Sequence, residues 1–224
     1  MISVLLATYN GEKYISKSIE SVLNQTFNDF ELLIGFNGTT DNSKDIVKSY
    51  SDSRIKTFDY GTDAGKAKTL NKLLKNATYD WIALQDDDDI WVEDKLEKQL
   101  QHTSNCDVIG TMIDYIDEND LFIRHLDLLR DDFNIKRWSL SGNNQVANTS
   151  AIFKKSKALE INGWREDIDG IEDFDFWLRL MRNNNIFINV DLHIIKNPYH
   201  RINPSTNKYP HIINNSSRII NYPS

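Results

Sequence analysis

Four consecutive aspartates, Asp86 to Asp89, are the feature that most constrains this chain. One residue, Gln85, separates them from Trp81 to Leu84, an apolar run typical of a buried strand. Neighbouring carboxylates repel one another, so such a cluster is unfavourable unless a positive charge lies among them. Carboxylate oxygens suit Mg²⁺ or Mn²⁺, and these ions take phosphate oxygens as further ligands. The run therefore predicts a metal and phosphate site; the alternative is a solvated acidic loop that caps the next helix.

Strands and helices alternate through the first half of the sequence. Apolar runs predict the strands, and apolar residues at helical spacing predict the helices between them. The predicted strands are Ile2 to Ala7, Glu31 to Phe36, Ile55 to Tyr60 and Trp81 to Leu84. The predicted helices are a stretch with Ile15, Ile19, Val22 and Leu23 on one face, the residues after Ser43, Gly65 to Ala77 and Glu93 to Gln101. This order predicts an α/β fold with a Rossmann-like, mostly parallel central sheet flanked by helices.

Polar residues follow three of these strands. They are Thr8-Tyr9-Asn10, Asn37-Gly38 and Asp86 to Asp89. The carboxyl ends of parallel strands share one edge of a sheet, and ligands of such sheets bind beyond that edge. We therefore expect the three segments to form one site.

The pattern is less regular after about residue 105. Asp107 to Tyr115 and Thr149 to Phe153 are predicted strands, and Lys155 to Ile161 is a predicted short helix. Glu172 to Asn183 predicts an amphipathic helix, with Phe174, Trp177, Leu178 and Met181 on its inner face. Residues 121–148 show no clear pattern, and the segment from Pro198 is expected to be irregular.

Composition limits the partners of the chain. Its 224 residues carry a net charge of −7 and no dense block of lysine and arginine, which argues against nucleic-acid binding. Cys106 is the single cysteine, so a reducing cytoplasm is expected. The first residues are typical of a buried strand rather than a signal peptide, and no apolar run approaches the roughly 18 residues that span a bilayer. Contact with a membrane surface is left open.

Four segments together resemble the family 2 glycosyltransferases, which have the GT-A fold. Ser3 to Asn10 resembles the first strand and nucleotide turn of that family, and Ser21 to Glu31 resembles its helix-to-strand passage. Gln85 to Trp91 is similar to its D-x-D metal motif, and Glu172 to Leu180 is similar to the segment that carries its catalytic base. The four motifs stand in the order of the family, and the resemblance covers most of residues 1–205.

The resemblance implies a bacterial, inverting enzyme that transfers a sugar from a nucleotide donor, expected to be UDP, to a hydroxyl acceptor. The sugar would be a hexose or an N-acetylhexosamine, and the acceptor a glycan, a lipid-linked or another hydroxyl compound in surface polysaccharide or glycan synthesis. Residues 1–105 would be the nucleotide-sugar-binding half, and residues 106–224 the acceptor-binding and catalytic-base half of the same domain. The fold would include a smaller acceptor-side region. The enzyme would work in the cytoplasm or peripherally at the inner face of the membrane.

Matching the motifs residue by residue gives the candidate site. Asp86 and Asp88 would hold Mn²⁺ or Mg²⁺, and Asp173, or in second place Glu172, would be the general base. A carboxylate at the start of a helix suits a base because its position is fixed, although acids there are also routine caps. The nucleotide-binding candidates are Thr8, Tyr9, Asn10, Glu12, Asn37, Lys66, Asp86 and Asp87.

Two groups of side chains have weaker assignments. Asp87 and Asp89 alternate with the metal pair and are expected to point away from the ion, and Asp89 is also a candidate helix cap or sugar contact. Trp91 and Trp177 are predicted core residues, whereas Trp138 and Trp164 are candidates for stacking on an acceptor sugar.

Two positions depart from the family pattern. Phe36 and Asn37 stand where the family usually has two aspartates, although the amide oxygen of Asn37 can still accept a hydrogen bond from the N3–H of uracil. Asn203 stands at the histidine position of an Arg-x-His segment, with His200 nearby.

Other functions fit parts of the sequence. A non-catalytic nucleotide-sugar-binding module of a larger assembly would accommodate both departures. A phosphatase or nucleotidyltransferase could also use the aspartates. However, the turn after the first strand carries neither an acidic motif nor a glycine-rich phosphate loop.

Overall fold

The computed structural model describes residues 1–61, 65–117, 119–168 and 170–198. The strands within these ranges are β1 (Ile2–Thr8), β2 (Phe30–Phe36), β3 (Ile55–Asp59), β4 (Trp81–Asp86), β5 (Ile90–Trp91), β6 (Val108–Ile116), β7 (Phe122–Leu126), β8 (Ile152–Lys154) and β9 (Phe187–Pro198). The helices are α1 (Ile15–Leu23), α2 (Ser43–Lys48), α3 (Gly65–Asn76), α4 (Lys95–Leu100), α5 (Asp132–Leu140), α6 (Lys155–Glu160) and α7 (Glu172–Arg182).

All of these strands belong to one sheet. Its order is β3-β2-β1-β4-β8-β6-β9-β5, and β7 pairs with β6 beside this path. The first four strands in this order are parallel, whereas β8 is antiparallel to both β4 and β6. Helices cover both faces, so the predicted α/β architecture with a mostly parallel sheet is confirmed.

The register of the parallel strands aligns their polar ends. Thr8 of β1 pairs with Phe36 of β2, and Ala7 of β1 pairs with Asp86 of β4. The residues after these positions therefore leave the sheet at the same edge, as the sequence predicted.

Two core layers lie on opposite faces of the sheet. Successive side chains of a strand point to opposite faces, so Leu5 of β1 joins the layer that contains α3 and α7, while Val4 and Leu6 join the layer that contains α1 and α4. This alternation fixes the helices that carry Lys66 and Asp173 on the same side of the sheet.

The predicted strand Thr149 to Phe153 is wrong in its first half. Residues Asn148–Ser150 form a 3₁₀ turn, and the strand begins at Ile152. The hydroxyl of Ser150 donates a hydrogen bond of 2.8 Å to the carbonyl of Ala147. This local bond stabilises the turn in competition with strand pairing.

The tryptophan assignments are only partly correct. Trp91 and Trp177 are core residues with exposed fractions of 3% and 0%, as predicted. Trp164 is also buried, with an exposed fraction of 2%, and stacks on Phe176 with ring centroids 4.2 Å apart. The prediction that Trp164 stacks on an acceptor sugar is therefore wrong, whereas Trp138 is half-buried.

The same stacking sets the inner face of α7. Its buried apolar residues are Phe176, Trp177, Leu180 and Met181, while the predicted Phe174 and Leu178 are half-buried. The face is displaced because Phe176 also packs edge-on against Phe153 of β8 at 5.3 Å between ring centroids.

Among the described residues, the sequence patterns missed the two-residue strand β5 and three further elements. Residues 121–148 contain β7 and α5, and the long strand β9 inserts between β6 and β5. Strand β9 gives no apolar pattern because polar residues interrupt it; Asn189, for example, is buried and donates to the carbonyls of Leu129 and Gln145. The predicted tail segment with His200, Arg201 and Asn203 lies outside the described residues. Among the described helices, none is long and apolar enough to cross a membrane.

Candidate functional site

A buried hydrogen-bond network holds the main chain at the end of β4. The hydroxyl of Thr149 accepts from the N–H of Asp86 at 3.4 Å, and the hydroxyl of Ser18 donates to the carbonyl of Asp86 at 3.0 Å. Gln85 links these groups, because its amide donates to Ser18 at 2.8 Å and its oxygen accepts from Thr149 at 3.2 Å. The Gln85 amide also donates to the carbonyl of Asp89 at 2.7 Å. No sequence motif indicated Ser18 or Thr149.

The four aspartates have different surroundings. Asp86 and Asp88 are half-buried at the edge of the sheet. Asp87 accepts a hydrogen bond of 2.5 Å from the hydroxyl of Thr8, and Asp89 is buried, with an exposed fraction of 1%. Asp89 is not the predicted helix cap, because α4 begins at Lys95 with Asp94 at its N-cap.

The crowded carboxylates change each other's proton affinity. Burial, together with the neighbouring Asp88 and Asp86, raises the pKa of Asp87 to about 6, although the hydrogen bond from Thr8 acts to lower it. Burial, together with the same two neighbours, raises the pKa of Asp89 well above its ordinary value. A run in which two acids resist ionisation is a position where a cation is strongly favoured.

Lys66, at the first turn of α3, supplies such a cation. Its ammonium lies 3.1 Å from Oδ1 of Asp86 and 3.2 Å from Oδ2 of Asp173. Burial acts to lower the pKa of Lys66, but Asp173, Asp86 and Glu172 outweigh it, and the pKa lies well above its ordinary value. Lys66 therefore joins the acidic end of β4 to the acidic start of α7.

Asp173 does not cap its helix. The residue at the N-cap of α7 is Ile171, which makes no side-chain capping bond, and Oδ2 of Asp173 points to Lys66 instead. Its other oxygen, Oδ1, is buried and has no hydrogen-bond partner among the described residues. Burial raises the pKa of Asp173 to about 6; Lys66 opposes this change, and Asp86 and Glu172 add to it. The side chain of Glu172 is buried too, with an exposed fraction of 8%.

Asn10 and Glu12 join the loops that follow β1 and β2. Asn10 has a φ of 54°, and its side-chain oxygen accepts from the N–H of Thr40 at 2.8 Å. The carboxylate of Glu12 accepts from the N–H of Asn42 at 3.0 Å, while its own N–H donates to Asp41 at 2.9 Å. These two candidates shape the loops, whereas the ring of Tyr9 is exposed beside them.

Asn37 links the end of β2 to the start of α3. Its side-chain oxygen accepts from the N–H of Gly65 at 2.7 Å, and its own N–H donates to the carbonyl of Thr8 at 2.9 Å. The oxygen assigned to uracil thus already has one donor, although an amide oxygen has a second lone pair.

Asn71, which the sequence analysis did not select, fixes the other end of the site. Its amide donates to the carbonyl of Trp164 at 2.8 Å, and its oxygen accepts from the N–H of Trp164 at 2.8 Å. Helix α3 is therefore bonded to the loop that leads into α7. This arrangement restricts movement of Lys66 relative to Asp173.

The side chains that could contribute to a metal site are carboxylates. Across the described part of the chain, no group of three or more His, Cys, Asp or Glu side chains could hold a metal ion by itself. Asp86 and Asp88 offer hard oxygen donors, and a positive charge is already stable beside Asp86. This donor set fits Mn²⁺ or Mg²⁺ that takes its remaining ligands from elsewhere, such as phosphate.

The fold is that of the GT-A glycosyltransferases. TarS 1-349 of S. aureus in complex with UDP-GlcNAc superposes with a TM-score of 0.74 at 19% identity, over 92% of this chain and 60% of TarS 1-349. The mannosyltransferase PcManGT of Pyrobaculum calidifontis, in complex with GDP-Man and Mn²⁺, superposes with a TM-score of 0.69 at 16% identity, over 89% of this chain and 57% of that protein. The chain thus spans about three fifths of these two solved chains, and 36% of the longer TarS chain.

Sequence comparison identifies the family. The model described as "Glycosyl transferase family 2" matches residues 3–161. The O-antigen biosynthesis glycosyltransferase WbnJ of Escherichia coli is 35% identical over 188 residues, covering 81% of this chain and 72% of WbnJ. WfgD of Escherichia coli, a UDP-Glc:alpha-D-GlcNAc-diphosphoundecaprenol beta-1,3-glucosyltransferase, is 30% identical over 188 residues, covering 83% of this chain and 72% of WfgD. The chain belongs to glycosyl transferase family 2 and is a glycosyltransferase, as the four motifs predicted.

Proposed function

We propose that the chain is a metal-dependent, inverting transferase that moves a hexose or N-acetylhexosamine from a UDP donor to a hydroxyl acceptor. The observation that carries the proposal is that Lys66 contacts both Asp86 and Asp173, at 3.1 and 3.2 Å. The acidic strand end and the acidic helix start therefore face one site. A donor and an acceptor hydroxyl could meet there.

Asp86 and Asp88 are the proposed ligands of Mn²⁺ or Mg²⁺. Such an ion, when bound, neutralises the charge that develops on the leaving diphosphate. The network of Ser18, Gln85 and Thr149 holds the main chain at Asp86 and at Asp89, on either side of Asp88. The Mn²⁺ in PcManGT supports this assignment by analogy of fold.

Asp173 is the proposed general base. Its pKa of about 6 leaves it mostly ionised at neutral pH while keeping it a useful proton acceptor. Its Oδ2 contacts Lys66, and because the side chain keeps 22% of its surface exposed, the carboxylate is the candidate to accept the proton of the acceptor hydroxyl. Glu172 is the second choice because its side chain is more deeply buried.

The donor would lie along the loops after β1 and β2. Thr8, Tyr9, Asn10, Glu12 and Asn37 border this position, and Lys66 and Asp87 lie toward the expected diphosphate. UDP-GlcNAc in TarS and UDP-Glc in the name of WfgD support UDP as the nucleotide.

The acceptor would bind to residues 106–224, and the donor to residues 1–105. The acceptor in the name of WfgD is linked to diphosphoundecaprenol, which supports a lipid-linked acceptor in surface polysaccharide synthesis. We therefore place the reaction at the cytoplasmic face of the membrane.

The test combines binding with turnover. Thermal unfolding is measured with UDP-, GDP-, CDP- and dTDP-sugars, each with and without Mn²⁺, because a ligand of the folded state raises the melting temperature. We expect the largest rise with a UDP-sugar and Mn²⁺. Asp88→Ala should lose this metal-dependent rise and turnover, whereas unchanged turnover would refute the metal assignment.

Asp173→Asn separates a catalyst from a binding module. As a base, Asp173 should be needed for turnover but not for donor affinity, so the variant should transfer sugar slowly while binding UDP normally. A wild-type protein that binds UDP-sugars but neither transfers nor hydrolyses them would favour the non-catalytic module.

A further inference from the structure

Lys66 lies where a divalent cation of the proposed reaction would compete with it. Its ammonium is 3.1 Å from Asp86, a proposed metal ligand, and 3.2 Å from Asp173, the proposed base. The Lys66 side chain keeps 37% of its surface exposed, while the Asp86 and Asp173 side chains keep 26% and 22%. The lysine can therefore swing toward solvent or phosphate at a lower cost than either carboxylate.

We propose that Lys66 is a place-holding cation, which neutralises Asp86 and Asp173 until the donor brings its metal and which prevents Asp173 from becoming a metal ligand. The inference rests on the proposed function of this site. On donor binding, the ammonium of Lys66 would leave Asp86, which would then be free to hold the metal, and would keep its contact with Asp173.

The orphan oxygen of Asp173 gives this role a physical reason. Oδ1 of Asp173 is buried and lacks a partner in the described part of the chain, while Oδ2 contacts the same ammonium as Asp86. Two carboxylates that share one cation would also suit a divalent ion. If Asp173 ligated that ion, its lone pair would no longer accept the proton of an acceptor hydroxyl.

The position of Lys66 is also connected to the nucleotide loops. The preceding residue, Gly65, has a φ of 67° and donates its N–H to Asn37 at 2.7 Å. Helix α3 is bonded farther along to the loop before α7 through Asn71 and Trp164. A donor that contacts Asn37 would therefore also affect Gly65, because Gly65 is hydrogen-bonded to Asn37 and directly precedes the place-holding lysine.

The experiment measures Mn²⁺ binding directly, by electron paramagnetic resonance of free Mn²⁺, with and without UDP. Without UDP, Lys66→Met should bind Mn²⁺ about two- to fivefold more tightly than wild type, as expected for removing one partly exposed ion pair. UDP should strengthen Mn²⁺ binding less in the variant than in wild type. Lys66→Arg keeps the cation and should behave as wild type. Lys75→Met removes the same charge from the far end of α3 and should also match wild type.

Thermal unfolding gives a second readout. Without metal, Lys66→Met leaves acidic side chains facing one another, so it should melt below wild type, and saturating Mn²⁺ should raise its melting temperature by more. Lys66→Gln replaces Lys66→Met if the latter does not fold.

The possible failures are distinguishable. Wild type that binds no Mn²⁺ even with UDP would overturn the proposed function and this inference together. The place-holding role alone would be overturned by a different pair of results. In that case wild type binds Mn²⁺ with UDP, but without UDP the Lys66→Met variant binds Mn²⁺ no more tightly than wild type.

Discussion

The hydroxyl of Thr8, at the end of β1, donates a hydrogen bond of 2.5 Å to the carboxylate of Asp87, just beyond the end of β4. The bond ties the ends of two neighbouring parallel strands at the edge where the site lies. Gly11 packs against the pair: a Cβ at this position would collide with Oδ2 of Asp87 and lie 2.8 Å from Oγ1 of Thr8. A larger residue at this position would therefore require Asp87 and Thr8 to shift.

Gly11→Ala should consequently lower both stability and donor affinity. Overpacking a tight contact costs about 1–3 kcal/mol of the free energy of unfolding, which urea denaturation would measure. Isothermal titration with UDP and Mn²⁺ should show weaker binding, because Asp87 and Thr8 must move.

The double variant Gly11→Ala, Asp87→Ala is the control for this collision. Removing the carboxylate should return part of the stability lost in Gly11→Ala, giving a non-additive cycle. Strictly additive losses would mean that Gly11 and Asp87 do not interact.

Thr149→Val should lower stability by disrupting the hydrogen-bond network beneath the aspartates. The valine is close in shape but leaves the N–H of Asp86 without its acceptor and Oε1 of Gln85 without its donor. A buried polar group without a partner costs about 1–3 kcal/mol, and metal-dependent UDP affinity should fall as the Asp86 main chain loosens.

Thr149→Ser retains the hydroxyl and is the matched control. Urea denaturation should show a smaller loss of stability for serine than for valine, and UDP titration with Mn²⁺ should give near-normal affinity. Because serine keeps the hydroxyl and valine keeps the methyl group, equal losses for both variants would show that the hydrogen bonds of the hydroxyl do not account for the effect.

Glu31 should make the stability depend on pH. Burial acts to raise its pKa, but hydrogen bonds from Lys56, Ser3 and Thr78 outweigh it, so the pKa lies below its ordinary value of 4.5. A depressed carboxyl pKa contributes stability above the unfolded value and loses it as the pH falls through the folded value.

The comparison of wild type with Glu31→Gln measures this contribution. We expect wild type to have the larger free energy of unfolding at neutral pH and the gap to close below pH 4.5. Glu93→Gln, at an exposed position, should show no such gap. A gap for Glu31→Gln that is independent of pH would contradict the ionic role of Glu31.

Trp164→Ala should destabilise the fold rather than weaken acceptor binding alone. Truncating a buried aromatic residue costs about 3–5 kcal/mol, and Trp164 is 2% exposed and stacked on Phe176. Chemical denaturation should show this loss, with a smaller one for Trp138→Ala, which is half-buried. A Trp164→Ala protein of normal stability would refute the packing role.

Local sequence predicted much of the first half. The order of the first four strands and four helices is visible because apolar periodicity records which face of each element is buried, whereas the two-residue strand β5 is too short to leave such a pattern. The acidic end of β4 was also visible, since its residues are neighbours in the chain. The inner face of α7 and strand β9 were misassigned or missed because ring stacking or side-chain hydrogen bonds with distant residues decided them, whereas at Thr149 a local turn replaced the first half of the predicted strand.

The sequence by itself determined the α/β class, the family motifs and the presence of carboxylates at a strand end and at a helix start. The tertiary structure alone decided that Lys66 contacts both groups, that Thr149 and Ser18 hold Asp86, and that Trp164 is buried. The physical reason is how far apart along the chain the interacting residues lie. Periodicity and motifs reflect interactions between neighbours in the chain. The surroundings of a charge or a ring depend instead on which remote segments the sheet register and helix packing bring beside it.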